Sequence, residues 1–512
     1  MKKSYMLAIW LSSTSLLLSA QNVQVKVHTD QPANQINKHI YGHFAEHLGR
    51  GVYGGLYVGD TSSIPNTDGV RNDVIDALKD LKIPNLRWPG GCFADSYHWK
   101  DAVGPKDQRL ATENMAWGNV CEDNGFGTHE FLDLCEQLGA EAYLATNMNS
   151  GTVREAVDWV QYVNHANGTS YLTTDLREEN GRATPWNVKF WGIGNESWDC
   201  GGNMDVDHYT DLYKQYATAM TSYSNTEGLF RVAVGPGWDD YHWTVEVMKQ
   251  IPLKRLEGLS IHHYAVLEWS NKGSSYDFTD DQYFSTMKKA WFMDEFITEN
   301  SKIMDQYDPE NKVALVVDEW GGWYAPIPEK GQLYQQNTMR DAMIAGLTLN
   351  VFNNHSDRVR MANLAQTVNV LQAVILTEEE KMILTPTYHV MKMYAVHQDA
   401  TLIPVSFDSP EYHKGEDQIP ALSISASETD GKLSVSMVNM DLDKGYALKL
   451  DLSGYEFDTI KGQIIESEDI RDHNTFDQPR KVITTEFKDF KSKKGSTIVS
   501  LPAFSVMMLQ FD

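Results

Sequence analysis

Cysteine is scarce in this sequence, with four residues among 512: Cys92, Cys121, Cys135 and Cys200. Four are too few to form a disulfide scaffold in a chain of this length, and their spacing matches no metal-binding motif. Adjacent His262 and His263 lack a third ligand at a compatible spacing, so we expect no metal site.

Basic residues are also in the minority, with 44 Lys and Arg against 70 Asp and Glu and a formal net charge of -26. An acidic surface repels nucleic acid and anionic membranes, so we expect neither as a partner. The acidic net charge is more consistent with a neutral substrate. The 14 tryptophans and 24 tyrosines provide surfaces on which sugars could stack.

Long apolar runs are missing, apart from a short one near the start of the chain. Residues 1–20 begin with lysines at positions 2 and 3, continue through the apolar run and end in Ser19 and Ala20. This order predicts a signal peptide, although Leu18 is a poor residue for the position three before the cut. We therefore expect export, either to a periplasm or out of the cell.

Short apolar runs alternate with amphipathic helical segments from about residue 38 to 385. Eight of these runs are predicted strands: 39–47, 85–91, 141–147, 188–196, 231–237, 258–264, 313–320 and 359–366. This count is typical of an α/β fold, the (β/α)8 TIM barrel, which builds its active site at the carboxyl ends of the strands. Polar residues gather at those ends: Glu46, Arg87, Asn147, Glu196, His262, Glu319 and Gln366.

After about residue 400, apolar and polar residues alternate with a period of two, which is the pattern of a β-strand with one buried face. Leu422, Ile424 and Ala426 alternate with serines, and Asp430 and Gly431 form a hairpin turn signal. We predict a C-terminal antiparallel, jelly-roll-like β-sandwich over 386–512, after a barrel over 38–385. The segment 21–37 has the same alternation near its start, and we expect its strand to pack on the sandwich.

Glu196 and Glu319 end the fourth and seventh predicted strands, three βα units apart. Glycoside hydrolysis needs two carboxylates, one as acid and base and one as nucleophile, on opposite sides of the anomeric carbon. A single glutamate at a strand end is often only an ion-pair partner or a loop cap. The pair, with Asn195 beside one member and "DEW" around the other, favours catalysis.

Seven motifs, in order along the chain, resemble one known family, the retaining α-L-arabinofuranosidases of glycoside hydrolase family 51. They are "IYGHFAEHLGRGVYGG", "LRWPGGCFADSYHWKDAVGP", "GIGNE", "SIHHY", "VDEWGGWY", "MANLAQTVNVL" and "ILTPTYHV". The resemblance implies removal of terminal arabinofuranosyl groups from arabinan or arabinoxylan oligosaccharides by double displacement, without a cofactor. Because members of this family are often hexamers, it also implies a homo-oligomer.

The resemblance also assigns roles to individual residues. Glu196 corresponds to the general acid and base, Glu319 to the nucleophile, and Asn195 to the partner of the sugar 2-hydroxyl. Further substrate-binding or orienting residues are expected at Glu46, Arg87, Trp117, His262, Tyr264 and Gln366. We expect Arg87 to keep the nucleophile ionised.

Cys92 departs from the family pattern, because many members have asparagine after "PGG". A thiol is a much weaker hydrogen-bond partner than an amide, so that sugar contact is in doubt. Cys200 follows the fourth strand and could approach Cys92, and our hypothesis is a disulfide between the two.

Two alternatives remain open at this point. The same catalytic pair could serve another glycosidase, such as an endo-β-glucanase or a xylosidase, since the fold does not determine the sugar. The chain could also be a non-hydrolytic carbohydrate-binding protein of an export system, although the presence of both Glu196 and Glu319 speaks against it.

Overall fold

The computed structural model describes residues 21–223, 228–493 and 495–512. The predicted signal peptide at 1–20 lies outside the described residues. Within the described ranges, no helix combines the length and the apolar character that crossing a bilayer requires.

The first strand, β1 (Gln21–Val27), precedes a closed barrel of eight parallel strands. The barrel strands are β2 (Gly42–Phe44), β3 (Asn85–Trp88), β4 (Glu141–Thr146), β5 (Phe190–Ile193), β6 (Phe230–Ala233), β7 (Gly258–Ala265), β8 (Ala314–Gly322) and β9 (Val359–Ala365). Each lies within or overlaps one of the eight predicted runs, so the predicted barrel is confirmed.

One long helix follows each barrel strand. These helices are α1 (Asn72–Leu81), α2 (Thr128–Leu138), α3 (Val153–Asn164), α4 (Val206–Ala219), α5 (Tyr241–Gln250), α6 (Asp280–Tyr307), α7 (Met339–Asn354) and α8 (Pro386–Tyr394). Their ends follow the sequence: α2, for example, stops before Gly139, whose φ of 69° suits glycine. A three-residue helical turn also occurs at Arg177–Glu179.

Side chains fill the inside of the barrel, as packing of a closed sheet requires. Tyr143, Phe190, Val232, Val316 and Met361 form one buried cluster there. The barrel is therefore solid below its mouth, and any substrate must bind at the carboxyl ends of the strands.

Short two-stranded hairpins in the loops of the barrel pair Asn66–Thr67 with Val70–Arg71, Thr112–Asn114 with Val120–Glu122, and Ile375–Glu378 with Lys381–Leu384. Twelve more strands follow residue 400, and ten of them, together with β1, form the two sheets of the predicted sandwich. They are β10 (Thr401–Leu402), β11 (Val405–Phe407), β12 (Glu411–Lys414), β13 (Asp417–Pro420), β14 (Leu422–Thr429), β15 (Lys432–Asn439), β16 (Tyr446–Asp451), β17 (Ile460–Ile465), β18 (Thr485–Phe487), β19 (Phe490–Lys493), β20 (Ser496–Leu501) and β21 (Ser505–Phe511). One sheet has the order β11-β1-β16-β20-β19 and the other β10-β14-β15-β21-β17-β18, while β12 and β13 form a separate hairpin.

The N-terminal strand β1 joins the first of these sheets. It pairs in parallel with β16 and antiparallel with β11. The domain limits at residues 37 and 385 stay predictions. Helix α8, just beyond the second limit, packs against α1 and α7.

The sandwich packs on the barrel through the buried helix α7. Gly346 lets the sheet approach closely, because a Cβ there would lie 3.0 Å from side-chain atoms of Val438 and Val506. Nearby, Asn350 donates to the carbonyl of Ser423 at 3.1 Å and accepts from the hydroxyl of Ser436 at 2.7 Å. A buried amide thus connects helix and sheet.

A disulfide joins Cys92, in the loop after β3, to Cys200, in the loop after β5. The Cα atoms are 5.5 Å apart, within the usual range for a disulfide. Cys121 and Cys135 carry free thiols. The bridge that the sequence suggested is therefore present in the structure.

The Asn350→Ala variant should melt at a lower temperature than the wild type. It leaves the Ser423 carbonyl and the Ser436 hydroxyl without these bonds, and a buried unsatisfied group costs about 1–3 kcal/mol. Differential scanning fluorimetry can compare it with Asn22→Ala, which changes an exposed asparagine of β1. Equal melting temperatures would show that this contact does not stabilise the protein.

Alkylation of the denatured, unreduced protein should label two cysteines, and labelling after reduction should reach all four. Mass spectrometry of the peptides should place the two free thiols at Cys121 and Cys135. Four labelled cysteines before reduction would rule out the bridge in the protein as purified.

Candidate active site

The structure brings all nine predicted site residues together at the mouth of the barrel. Eight of them line one cavity of about 850 Å³. These eight are Glu46, Trp117, Asn195, Glu196, His262, Tyr264, Glu319 and Gln366. The ninth, Arg87, is buried behind the cavity wall and bonds two of the eight.

Glu319 lies on β8 and is fixed by two donors. One nitrogen of Arg87 donates to Oε1 at 2.8 Å, and the hydroxyl of Tyr264 donates to Oε2 at 2.6 Å. Burial raises the pKa of Glu319, but the charges of His262 and Arg87 and these hydrogen bonds outweigh it and hold the pKa below its usual value. The carboxyl group is therefore ionised at neutral pH, as the sequence predicted.

Glu196 follows β5 and faces Glu319 across the cavity. One oxygen of each carboxylate lies within 4.8 Å of the other. Nδ1 of His262 lies between them, 2.8 Å from Oε1 of Glu196 and 3.7 Å from Oε1 of Glu319. Burial lowers the pKa of His262, but the charge of Glu319 and the bond to Glu196 leave it raised overall.

The backbone of Glu196 is unusual, with a φ of 38° in the left-handed region that costs a non-glycine residue energy. The turn that follows it is closed by hydrogen bonds from the backbone N–H groups of Asp199 and Gly201 to its carbonyl. The local chain therefore aims this side chain into the cavity at the expense of backbone strain.

Asn195 is held on both sides. Its side-chain oxygen accepts from Arg87 at 2.7 Å, and its backbone N–H donates to Asp95 at 3.0 Å. Asp95 also accepts from the backbone N–H groups of Met148 and Asn149, and burial raises its pKa to about 7. Asp95 was not among the residues predicted from the sequence, although it lies in the quoted motif around "PGG", because nothing local indicates a carboxylate that links three loops.

Glu46 forms a further buried carboxylate site beside Glu196 and Glu319. The indole of Trp117 donates to its Oε1 at 2.8 Å, and the amide of Gln366 donates to its Oε2 at 3.2 Å. Burial and the charge of Glu319 raise the pKa of Glu46 to about 7. A Cβ at Gly91 would lie 3.1 Å from Glu319 and 3.2 Å from Glu46, so glycine keeps this space open.

The disulfide lies beside the same site, and its Cys92 lines the cavity. The sulfur of Cys200 lies 3.6 Å from Oε2 of Glu196 and 3.9 Å from the side-chain nitrogen of Asn195. Because a disulfide sulfur carries no proton, these contacts do not include a thiol donor. The bridge instead packs directly against the turn that carries the two residues.

Among the residues that the structure describes, two groups of three side chains have the spacing of metal ligands, within 4.8 Å of one another. One consists of Cys92, Glu196 and Cys200, but the disulfide removes both thiolates that a metal would need. The other consists of Glu196, His262 and Glu319, whose facing atoms also form the bonds described above. The absence of a metal therefore stays a prediction.

Comparison with known proteins supports one family. The model described as "Alpha-L-arabinofuranosidase 1 domain" matches residues 77–278, and "Alpha-L-arabinofuranosidase C-terminal domain" matches residues 318–505. A protein of Bacteroides ovatus, named intracellular exo-alpha-L-arabinofuranosidase, is 45% identical, and the alignment covers 100% of both chains.

Solved structures give the same result. A GH51 arabinofuranosidase from Xanthomonas axonopodis pv. citri is 44% identical with a TM-score of 0.94, over 96% of this chain and 100% of that one. An α-L-arabinofuranosidase from Thermotoga maritima, solved as an arabinose complex, is 31% identical with a TM-score of 0.84, over 95% and 99%.

The relative from Bacteroides ovatus also corrects one expectation. Its name describes an intracellular enzyme, which contradicts the export to a periplasm or out of the cell that we predicted from residues 1–20. A basic start and a short apolar run are weak signals, and Leu18 already fitted the pattern poorly. The sequence and structural similarities, in contrast, agree over the whole described chain: it belongs to the α-L-arabinofuranosidases of glycoside hydrolase family 51.

Proposed function

We propose that this enzyme removes terminal α-L-arabinofuranosyl groups from arabinan or arabinoxylan oligosaccharides by double displacement, with retention of configuration. Glu319 is the nucleophile, and Glu196 is the general acid and then the general base. The term "exo" in the name of the Bacteroides ovatus relative supports attack on terminal groups.

The distance between the two carboxylates carries this proposal. Oxygens of Glu196 and Glu319 lie within 4.8 Å of each other. Retaining glycosidases place their carboxyl groups about 5–5.5 Å apart, whereas inverting enzymes need roughly 6.5–9.5 Å to admit a water molecule. The short separation therefore favours direct attack by one of the carboxylates.

In the first step, an oxygen of Glu319 attacks the anomeric carbon while Glu196 donates its proton to the departing glycosidic oxygen. The hydrogen bonds that Arg87 and Tyr264 donate keep Glu319 ionised and hold its carboxylate in one orientation. The products are a glycosyl-enzyme with inverted configuration and the shortened glycan.

In the second step, Glu196 is ionised and takes a proton from a water molecule. The water oxygen attacks the anomeric carbon, and the carboxylate of Glu319 leaves. Two inversions give net retention, and Glu196 regains its proton for the next cycle. His262, 2.8 Å from Glu196, keeps the carboxyl group directed at the reacting oxygen in both steps.

The other polar residues of the cavity suit recognition of a single furanose ring. Asn195 is oriented by Arg87 toward the position of a 2-hydroxyl group, and Glu46 is held by Trp117 and Gln366. Buried groups of this kind favour a sugar with hydroxyls in matching places, because a wrong sugar leaves them unpaired.

Membership of a hydrolase family sets aside the non-hydrolytic alternative. Xylosidase and endo-β-glucanase activities are tested by offering xylan oligosaccharides and carboxymethyl cellulose beside an aryl α-L-arabinofuranoside.

Assembly as a homo-oligomer, including a hexamer, stays a prediction.

Azide should identify both carboxylates through the configuration of its product. In Glu196→Ala, Glu319 still forms the glycosyl-enzyme, so azide should give the α-arabinofuranosyl azide, with retention. In Glu319→Ala, azide should displace an aryl leaving group directly and give the β-azide. Proton NMR of the products distinguishes the two configurations.

The Glu196→Ala variant should lose roughly 10²–10⁴-fold in kcat/KM on oligosaccharides and less on aryl glycosides, whose leaving groups need no proton. Asp76→Asn, which changes an exposed carboxylate of α1 that does not line the cavity, serves as the control and should keep wild-type activity. The assignment fails if the Glu319 variant gives the α-azide or retains wild-type turnover.

Tyr264→Phe should reduce kcat/KM by about 10- to 100-fold, the usual value of a hydrogen bond to a charged group. Loss of this bond moves the pKa of Glu319 up towards its ordinary value, so the acidic limb of the kcat/KM profile should shift to higher pH. Tyr143→Phe removes a buried hydroxyl that bonds Asp318 instead, and its acidic limb should stay in place. An unmoved limb in Tyr264→Phe would contradict the role of this bond.

A further inference from the structure

Asp95 is a buried carboxylate that the proposed mechanism does not use. It lies in the loop after β3, is 1% exposed and does not line the cavity that holds Glu196 and Glu319. Moving a carboxylate out of water costs free energy unless its oxygens accept hydrogen bonds. The groups that donate to Asp95 therefore indicate what it does.

Three backbone N–H groups donate to the two oxygens of this carboxylate. Those of Met148 and Asn149, in the loop after β4, donate to Oδ1 at 2.7 and 3.2 Å. That of Asn195, in the loop after β5, donates to Oδ2 at 3.0 Å. One side chain from the loop after β3 thus connects the loop after β5 to the loop after β4.

The loop after β4 is itself held by several hydrogen bonds. The side-chain oxygen of Asn147 accepts from the backbone N–H groups of Ser150 and Gly151 at 2.9 and 2.8 Å, and its carbonyl accepts from the hydroxyl of Tyr216 at 3.1 Å. The hydroxyl of Ser150 also donates to the backbone carbonyl of Asp95 at 3.1 Å. Asp95 is therefore fixed to this loop through both its main chain and its side chain.

Asn195 and Glu196 differ in what else holds them. The amide of Asn195 has its own partner in Arg87, at 2.7 Å. The side chain of Glu196 lies 2.8 Å from His262, but its backbone has a φ of 38°, and such a conformation persists only where its surroundings impose it. The hydrogen bond from the preceding N–H group to Asp95 is one such constraint.

Gly201 leaves room for this contact. A Cβ there would lie 2.8 Å from Oδ2 of Asp95 and 1.7 Å from the carbonyl oxygen of Asn195. The backbone N–H of Gly201 donates to the carbonyl of Glu196 at 3.1 Å. The turn after β5 therefore closes directly against the carboxylate of Asp95.

We propose that Asp95 is a positioning residue for the general acid and base: its carboxylate fixes the backbone of Asn195 and thereby directs the carboxyl group of Glu196 at the glycosidic oxygen. This proposal rests on the proposed function, which assigns the proton transfers to Glu196. Asp95 exchanges no proton with the substrate, because it does not line the cavity.

The Asp95→Asn variant should break one of the three hydrogen bonds selectively. Its single amide oxygen is best placed at the position of Oδ1, where it accepts from two N–H groups. The NH2 group then faces the N–H of Asn195, and two donors cannot bond each other. The change should therefore release the turn after β5 and leave the loop after β4 in place.

The test measures kcat/KM on two substrates that differ only in the leaving group. On arabinobiose, whose leaving oxygen needs a proton, Asp95→Asn should lose about 10- to 100-fold, since a misplacement of about 1 Å can cost roughly 100-fold. On 2,4-dinitrophenyl α-L-arabinofuranoside, whose phenolate leaves without a proton, the loss should stay below about threefold. The ratio of the two values does not depend on the folded fraction of the sample, because the same molecules cleave both substrates.

Asp441→Asn is the matched control. Asp441 is a buried aspartate of the sandwich that also accepts from two backbone N–H groups, those of Asp443 and Lys444, and it does not line the cavity. This variant should melt at a lower temperature than the wild type, but its ratio of kcat/KM values should equal that of the wild type.

Asp95→Glu, which keeps the charge and both acceptor oxygens on a longer side chain, is the second variant and should show the same dependence on the leaving group. Circular dichroism establishes that each variant is folded. An equal loss on both substrates, no loss in Asp95→Asn, or failure of both variants to fold would overturn the proposal. A wild type that cleaves neither arabinofuranoside would instead reject the proposed function.

Discussion

The active site depends on the hydrogen bonds that the buried guanidinium of Arg87 donates to two of its residues. The guanidinium donates to Glu319 at 2.8 Å and to Asn195 at 2.7 Å, and its centre lies 4.5 Å from the ring centroid of Phe44. A buried cation is costly unless it is paired, and the facing carboxylate is equally costly without it. Each charge thus permits the other to stay ionised away from water, and the fixed fork of arginine sets the angle between β8 and the loop after β5.

The other carboxylates of the mouth differ from Glu319 in what faces them. Glu46 and Asp95 accept mainly neutral N–H groups, and burial raises the pKa of each to about 7. Asp318 lies 3.9 Å from Arg87, and burial leaves its pKa raised as well. Glu319 is therefore the one of these four carboxyl groups whose pKa lies below its usual value.

Much of this arrangement could be predicted from the sequence, because strand periodicity and polar strand ends are local signals. Successive side chains of a strand point to opposite faces: His262 faces Glu196, whereas Nε2 of His263 lies 2.7 Å from the carbonyl oxygen of Lys289 on α6. What could not be predicted depends on distant loops meeting. The contacts of Asp95 and the left-handed backbone of Glu196 depend on loops that are distant in the sequence, and no single segment encodes them.

The disulfide between Cys92 and Cys200 has a consequence for how the enzyme is handled. Its sulfur lies 3.6 Å from Glu196, and cytosolic thiol buffers keep most such bridges open. Protein taken from a reducing cytoplasm and protein oxidised during purification are then two chemical species, which differ in the cysteine side chains beside Glu196. A specific activity describes one of them only when the thiol state of the sample is given with it.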